Sequence, residues 1–243
     1  MFLQSTPRPQ PVQQLPVPKH WLMLGLVLSA AVICAGLTLR FVPGLTEAEL
    51  AVNEDFSTHH TAVLTGMALA LNVMFSPVAG GLMVMAGSIY LLLVRRSLPR
   101  AALFAATVAS GWLTCQVFKV VIGRVRPDPA MLFDPLVPEP VSNSFPSGHT
   151  SLAVALTLAV FVTLRGTRWA KPSLWAGMCV AAVVGWSRVY IGAHYPLDVV
   201  ASFPATIAAV LIMAGMWNRY APGLLTKIQY RLTSQRTLQR KKP

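Results

Sequence analysis

Runs of apolar residues about as long as a bilayer is thick recur along this chain, and they leave very few folds open to it. Trp21 to Val42 is the first, and further runs lie at about 76–94, 98–121, 148–164, 173–191 and 197–217. About 20 such residues cross a hydrocarbon core of ~30 Å. Within lipid every backbone N–H and C=O needs a partner inside the protein, which favours helices whose bonds close within one segment. The expected fold is therefore all-α: an integral-membrane bundle of six transmembrane helices. Only 12% of the 243 residues are charged, about half the share of a soluble domain, which points the same way. A signal peptide competes for the first run, but its apolar core would be shorter, at about 7–15 residues. Cys34, Cys115 and Cys179 fall inside apolar runs at no metal-binding spacing, so they are expected as small buried residues outside any disulfide framework.

The segment between the first two spans is less regular. Thr46-Glu-Ala-Glu49 reads as a capping box, with Thr46 at the N-cap and Leu45 and Leu50 as a hydrophobic staple. A helix is expected from Glu47, with its acidic residues on the early turns, where the macrodipole favours anions. Thr61 to Val94 is too long for one span, and Ser76-Pro77 with Gly80-Gly81 is the natural break. A crossing by 61–75 would put Arg95, Arg96 and Arg100 on the side of the acidic loop. The expectation is that 47–75 lies in the membrane interface as one extracytoplasmic helix, with His59 and His60 on its wetted face.

Charge supports this layout. With both termini in the cytoplasm, fifteen of the twenty Lys and Arg residues fall on the inner side and all eight acidic residues on the outer side. That asymmetry follows the positive-inside rule. It accounts for most of the net charge of +12 and removes the need for a nucleic-acid partner. The domain is expected to span 21–217. Residues 1–20, rich in Pro and Gln, form a disordered cytoplasmic tail, and a polyproline docking segment is the competing reading. Residues 218–243 form a basic cytoplasmic tail that anchors to anionic lipid.

Five cations remain on the outer side: Arg40, Lys119, Arg124, Arg126 and Arg188. Four of them fall in two polar stretches at span ends. Lys119-Val-Val-Ile-Gly-Arg-Val-Arg126-Pro127 closes the third span, and Ser187-Arg-Val-Tyr-Ile-Gly-Ala-His-Tyr-Pro-Leu-Asp198 joins the fifth to the sixth. Pro146-Ser147-Gly148-His149 opens the fourth. Six spans with an inner N-terminus bring all three stretches to one membrane level. Ionisable residues at such positions mark function. Lys119, Arg126 and Arg188 suit a phosphoryl dianion, and an arginine fork grips two oxygens at once. Ser147 is a good N-cap, and Gly148 lets backbone N–H groups approach an anion at a helix start. Of two histidines, one can attack and the other act as general acid, and an Asp beside a His fixes its tautomer. Pro196 fits the first turn of a helix, which places His194 just before the sixth span and Asp198 within its first turn. Taken singly these residues are bland: Lys119 reads as a snorkelling lysine and Arg124 as another, or as a lipid headgroup contact.

The motifs K-x6-R-P, P-S-G-H and S-R-x5-H-x3-D, in this order over 119–198, resemble the type-2 phosphatidic acid phosphatase family of membrane lipid phosphatases. That family also includes glucose-6-phosphatase and the soluble vanadium haloperoxidases. The resemblance implies that His194 forms a phosphohistidine, Asp198 orients it and His149 protonates the leaving group. It also implies that Lys119, Arg126, Ser147, Gly148 and Arg188 hold the phosphoryl oxygens, with no metal and no cofactor. Ser202 departs from the pattern, where such proteins often have Gly; a small packing shift is expected there, without effect on chemistry. The implied substrate is a lipid phosphate or diphosphate reaching an extracytoplasmic site from the bilayer: phosphatidate, phosphatidylglycerol phosphate or an undecaprenyl-type diphosphate. The Pro- and Asp-rich connection from Arg124 to Pro146 is expected to rim the site. A lipid phosphotransferase using the same phosphohistidine is the alternative, and a scaffold or transporter with a vestigial site is a third reading. The motifs leave oligomeric state open.

Overall fold

A computed structural model describes residues 12–138 and 142–239, the last eight by backbone alone. Eight α-helices make up the described chain: α1 Trp21–Phe41, α2 Leu45–Thr58, α3 Ala62–Met74, α4 Pro77–Leu93, α5 Leu98–Ile122, α6 Gly148–Thr163, α7 Ala170–Tyr190 and α8 Pro196–Gln239. Helices α1, α5 and α8 are each long and apolar enough to cross a membrane, and α3 with α4 passes the same test as a pair bent by 61°. Helix α6 is apolar but shorter, at 16 residues.

Helix α6 is the centre of the bundle, packed on α5, α7, α8 and α4. Its residues from Thr150 to Ala155 are buried without interruption, as expected for a helix surrounded by others. Leu152, Val154 and Ala155 meet Val108 of α5 and Val184 of α7 in the largest core cluster. The outer helices are the reverse. Leu22, Met23, Leu26 and Val27 on α1, and Leu82, Met85, Ile89 and Leu93 on α4, are exposed. Apolar surface of that extent is a liability in water and is at home against lipid.

Three expectations change on the structure. Helix α2 starts at Leu45, after Gly44 at φ 83°. Thr46 donates to the Leu39 carbonyl at 3.0 Å and accepts from Arg124 at 3.3 Å, so no capping box forms; Glu49 is drawn to the same guanidinium. The segment 47–75 is not one helix: it breaks at His59–Thr61, and the Thr61 hydroxyl caps α3 by accepting from the Leu64 N–H. Residues 12–18 of the tail expected to be disordered lie against the bundle. Leu15 is buried, and its N–H and C=O bond the Asn218 amide at 2.8 and 2.7 Å. The expectation for the rest of that tail, 1–11, lies outside the described residues. Helix α8 runs through Pro222 to Gln239, so much of the basic segment is helical; residues 240–243 lie outside the description, as does 139–141 of the expected rim.

The cysteines divide. Cys115 is buried, whereas Cys34 and Cys179 are exposed on the bundle surface, and all three are free.

Candidate active site

The loop between α7 and α8 is built by its own backbone. Helix α7 ends with Gly192 in the left-handed region at φ 71°. The Gly192 N–H bonds the Val189 carbonyl at 3.0 Å and the Ala193 N–H bonds the Arg188 carbonyl at 3.0 Å. This double closure is a Schellman motif, which stops a helix sharply. Helix α8 then starts at Pro196, whose missing N–H costs nothing in a first turn. The Asp198 carboxylate reaches back to the Tyr195 N–H at 3.0 Å, half of a capping box. Between these two stops sits His194, 1% exposed.

The hydrogen bonds around the ring define its tautomer. Ser144 donates its hydroxyl proton to Asp198 Oδ2, so the Ser144 oxygen accepts from His194 Nδ1 at 3.3 Å; Asp198 Oδ2 itself is 3.5 Å from Nδ1. Nδ1 therefore carries the proton. The lone pair is on Nε2, which accepts from Arg126 Nη1 at 3.1 Å. Burial, reinforced by Arg126, Lys119 and Arg188, holds His194 well below its usual pKa, so the ring is a neutral base.

Arg126 fixes this geometry from a second segment. Gly123, at φ 62°, ends α5 and turns the chain, and Arg40 of α1 donates to the Ile122 carbonyl at that end. Three residues on, Arg126 bonds the Ser142 carbonyl at 2.7 Å, the Ser142 hydroxyl at 2.9 Å and the Ala193 carbonyl at 2.6 Å. Lys119, on the last turn of α5, donates to the carbonyls of Asn143 and Ser144.

Of the expected residues, Lys119, Arg126, Gly148, His149, Arg188 and His194 line one cavity of about 660 Å³. Ser147 and Asp198 do not. Both are fully buried behind the wall, where the Ser147 hydroxyl caps α6 by accepting from the Thr150 N–H. The Ser147 N–H is taken by the Ser202 hydroxyl at 2.9 Å and the Asp198 carbonyl at 3.2 Å. Ser202 is thus more than a small packing residue: its hydroxyl also donates to the Asp198 carbonyl at 2.8 Å and ties α8 to the start of α6.

Two expectations about single residues are corrected. Arg124 neither snorkels nor reaches a headgroup. It is 2% exposed and bridges Asp198 Oδ1 at 2.7 Å and Glu49 Oε2 at 2.6 Å, over the ring of Tyr195. Two buried carboxylates outcompete water for a guanidinium that satisfies both. His60 is not a wetted surface residue either, although His59 is exposed. The His60 ring packs on Tyr190, bonding its carbonyl at 2.9 Å and Asp134 at 2.9 Å.

Other partners went unseen in the sequence. Asn72, near the end of α3, presents its side-chain oxygen to Arg188 Nη1 at 2.5 Å and its carbonyl to the His149 Nε2–H at 3.1 Å. It is a strongly polar residue amid an apolar run, and that was the available signal. Ser144 and Asn53 left no comparable trace.

A cation-walled cavity with a buried neutral histidine, at one end of an apolar helical bundle, is suited to an anion carried on an apolar molecule. The PAP2 superfamily model matches residues 100–221, just over half of the chain, and the protein belongs to that superfamily. Over 150 residues it is 29% identical to an undecaprenyl-diphosphatase of Bacillus subtilis, covering 62% of this chain and 73% of the relative. Over 106 residues it is 37% identical to phosphatidylglycerophosphatase B of the same species, covering 41% and 49%. An undecaprenyl-diphosphatase of Sulfolobus acidocaldarius is 37% identical over 93 residues, which span 36% of this chain and 41% of that relative. The fold is that of a transmembrane PAP2-type phosphatidylglycerolphosphate phosphatase from Bacillus subtilis, whose crystal structure aligns with a TM-score of 0.65 at 22% identity, covering 82% of this chain and 95% of that one.

Proposed function

We propose that this protein is a lipid phosphate phosphatase that works without a metal through a phosphohistidine on His194. The observation that carries this reading is His194, which lines the cavity with Nδ1 held by Ser144 and Asp198 and with Nε2 against Arg126. The Nε2 lone pair forms the N–P bond as the bond from phosphorus to the leaving oxygen breaks. His149, protonated to the imidazolium as the anionic substrate binds, gives its Nε2 proton to that oxygen and is left neutral. Lys119, Arg126 and Arg188, with the α6 start at Gly148, hold the phosphoryl oxygens and oppose the charge that builds in the transition state. Ser147 serves them as the cap of α6. Water then attacks phosphorus, His149 takes its proton, and the N–P bond breaks to release phosphate.

The membrane layout follows the same reading: six spans formed by α1 and α4 to α8, both termini cytoplasmic, and the cavity at the extracytoplasmic face. The relatives' names point to phosphatidylglycerol phosphate and undecaprenyl diphosphate as substrates. The apolar side chains of Val73, Phe75, Pro77 and Trp112 on the cavity wall suit the first part of a lipid chain. Purified protein, assayed with EDTA against phosphatidate, phosphatidylglycerol phosphate and undecaprenyl diphosphate, is expected to release inorganic phosphate from at least one of them. No release from any, or transfer to added alcohols exceeding hydrolysis, overturns the assignment as a hydrolase.

A further inference from the structure

Helix α2 lies before residue 100, outside the stretch matched to the superfamily, yet one of its faces is buried and polar. Glu49, Asn53 and Ser57 follow one another at intervals of four, which stacks them on a single helical stripe. They are 8%, 1% and 2% exposed. Polar groups are buried at a cost unless they are bonded, and two of these three bond the segment from Val189 to Asp198 that carries His194. Glu49 Oε2 holds Arg124, which holds Asp198. Glu49 Oε1 accepts from the Leu197 N–H at 2.7 Å, one of the first-turn donors of α8 that no intrahelical carbonyl reaches. The Asn53 amide donates to the Val189 carbonyl at 2.9 Å and to the His194 carbonyl at 3.1 Å. It thereby joins the end of α7 to the histidine itself. Ser57 reaches a different partner, accepting from the Phe133 N–H at 3.1 Å.

We propose that α2 is the brace that sets the proposed nucleophile, with Glu49 and Asn53 as positioning residues for the reaction at His194. Glu49 fixes Asp198 through Arg124 and fixes the start of α8 directly, while Asn53 fixes the His194 backbone. Neither side chain lines the cavity, so their effect belongs to the chemical step and not to lipid binding. This inference rests on the phosphohistidine reading.

The test compares Glu49→Gln, Glu49→Asp and Asn53→Ala with Ser57→Ala and His194→Gln in the full chain. The substrate is whichever panel lipid the wild type hydrolyses. Glu49→Gln keeps an acceptor for Leu197 but loses the charge facing Arg124; Glu49→Asp keeps the charge and draws it back by one methylene. A displaced nucleophile costs on the order of 10²-fold. Each Glu49 and Asn53 variant is therefore expected to lose about 10- to 100-fold in kcat, with KM changed less than about threefold. Vanadate, which mimics the covalent transition state, should inhibit them more weakly in the same proportion. Inorganic phosphate, which needs only the cations, should inhibit as before. Ser57→Ala, on the same buried stripe, should keep wild-type kcat, which separates positioning from general loss of stability. Near-wild-type kcat in the Glu49 and Asn53 variants beside an inactive His194→Gln overturns the brace alone. So does a kcat loss matched by Ser57→Ala, or failure of both Glu49 variants and Asn53→Ala to fold while Ser57→Ala folds. An active His194→Gln overturns the phosphohistidine reading instead.

Discussion

Arg124 Nη1 lies 2.7 Å from Asp198 Oδ1, with the arginine side chain 2% exposed and the aspartate fully buried. The pair is completed by Glu49, so one guanidinium is shared between two carboxylates. Breaking a buried ion pair from one side strands the remaining charge, at about 3–5 kcal/mol. Arg124→Leu is therefore expected to lower the thermal unfolding midpoint sharply. Arg124→Lys offers a point charge in place of a planar fork and cannot serve both carboxylates in the same geometry; it should fold and lose turnover. Thermal unfolding and phosphate release measured on the same preparations check both outcomes.

Acidification should destabilise the fold through His194. Its folded-state pKa is held well below the usual 6.5 by burial and by neighbouring cations. The unfolded state thus takes up a proton as pH falls below about 6.5, and the folded state does not. Stability attributable to this group is complete above that pH and is lost on going down towards the depressed value, at a rate approaching about 1.4 kcal/mol per pH unit. Unfolding midpoints recorded between pH 7.5 and pH 5 should fall accordingly, and His194→Gln should flatten that slope. An unchanged slope would contradict a neutral buried ring.

Asn72 occupies donors that a substrate needs. Its side-chain oxygen holds Arg188, and its carbonyl takes the His149 proton that is proposed for the leaving group. Asn72→Ala removes the first contact. Releasing a competing hydrogen bond of ~1 kcal/mol should tighten inhibition by inorganic phosphate about fivefold. Weaker phosphate inhibition would show instead that Asn72 helps to orient Arg188.

The Ser202 hydroxyl takes the Ser147 N–H and donates to the Asp198 carbonyl. Ser202→Ala leaves a buried donor poorly satisfied where α6 meets α8, and a stability loss of about 1–3 kcal/mol is expected from thermal or denaturant unfolding. A change below a few tenths would mean that the N–H is adequately served by the Asp198 carbonyl.

Much of the layout was legible before any coordinates. Long apolar runs announce helices because lipid leaves the backbone little choice, and the ends of α1, α4, α5, α6 and α7 fall within a few residues of the runs that predict them. Lys119, Arg126, His149, Arg188 and His194 stood out because charge at the end of a span is costly. The errors share a different cause. Thr46, Glu49, Arg124 and His60 each had a satisfactory local explanation, as cap, dipole partner, snorkelling cation and wetted face. Local patterns carry no information about a partner many residues away.

The sequence by itself determined that the chain is helical, where five of its apolar helices begin and end, and that several of its ionisable residues gather together, because each follows from hydrophobic length and the cost of buried charge. Only the tertiary structure decided what each of those residues touches. It put Asp198 and Ser147 behind the cavity wall, brought Ser144 between Asp198 and His194, and laid α2 across the loop that holds them. Those choices depend on which helix faces pack together, and the energy that selects among them resides in contacts between segments far apart in the chain.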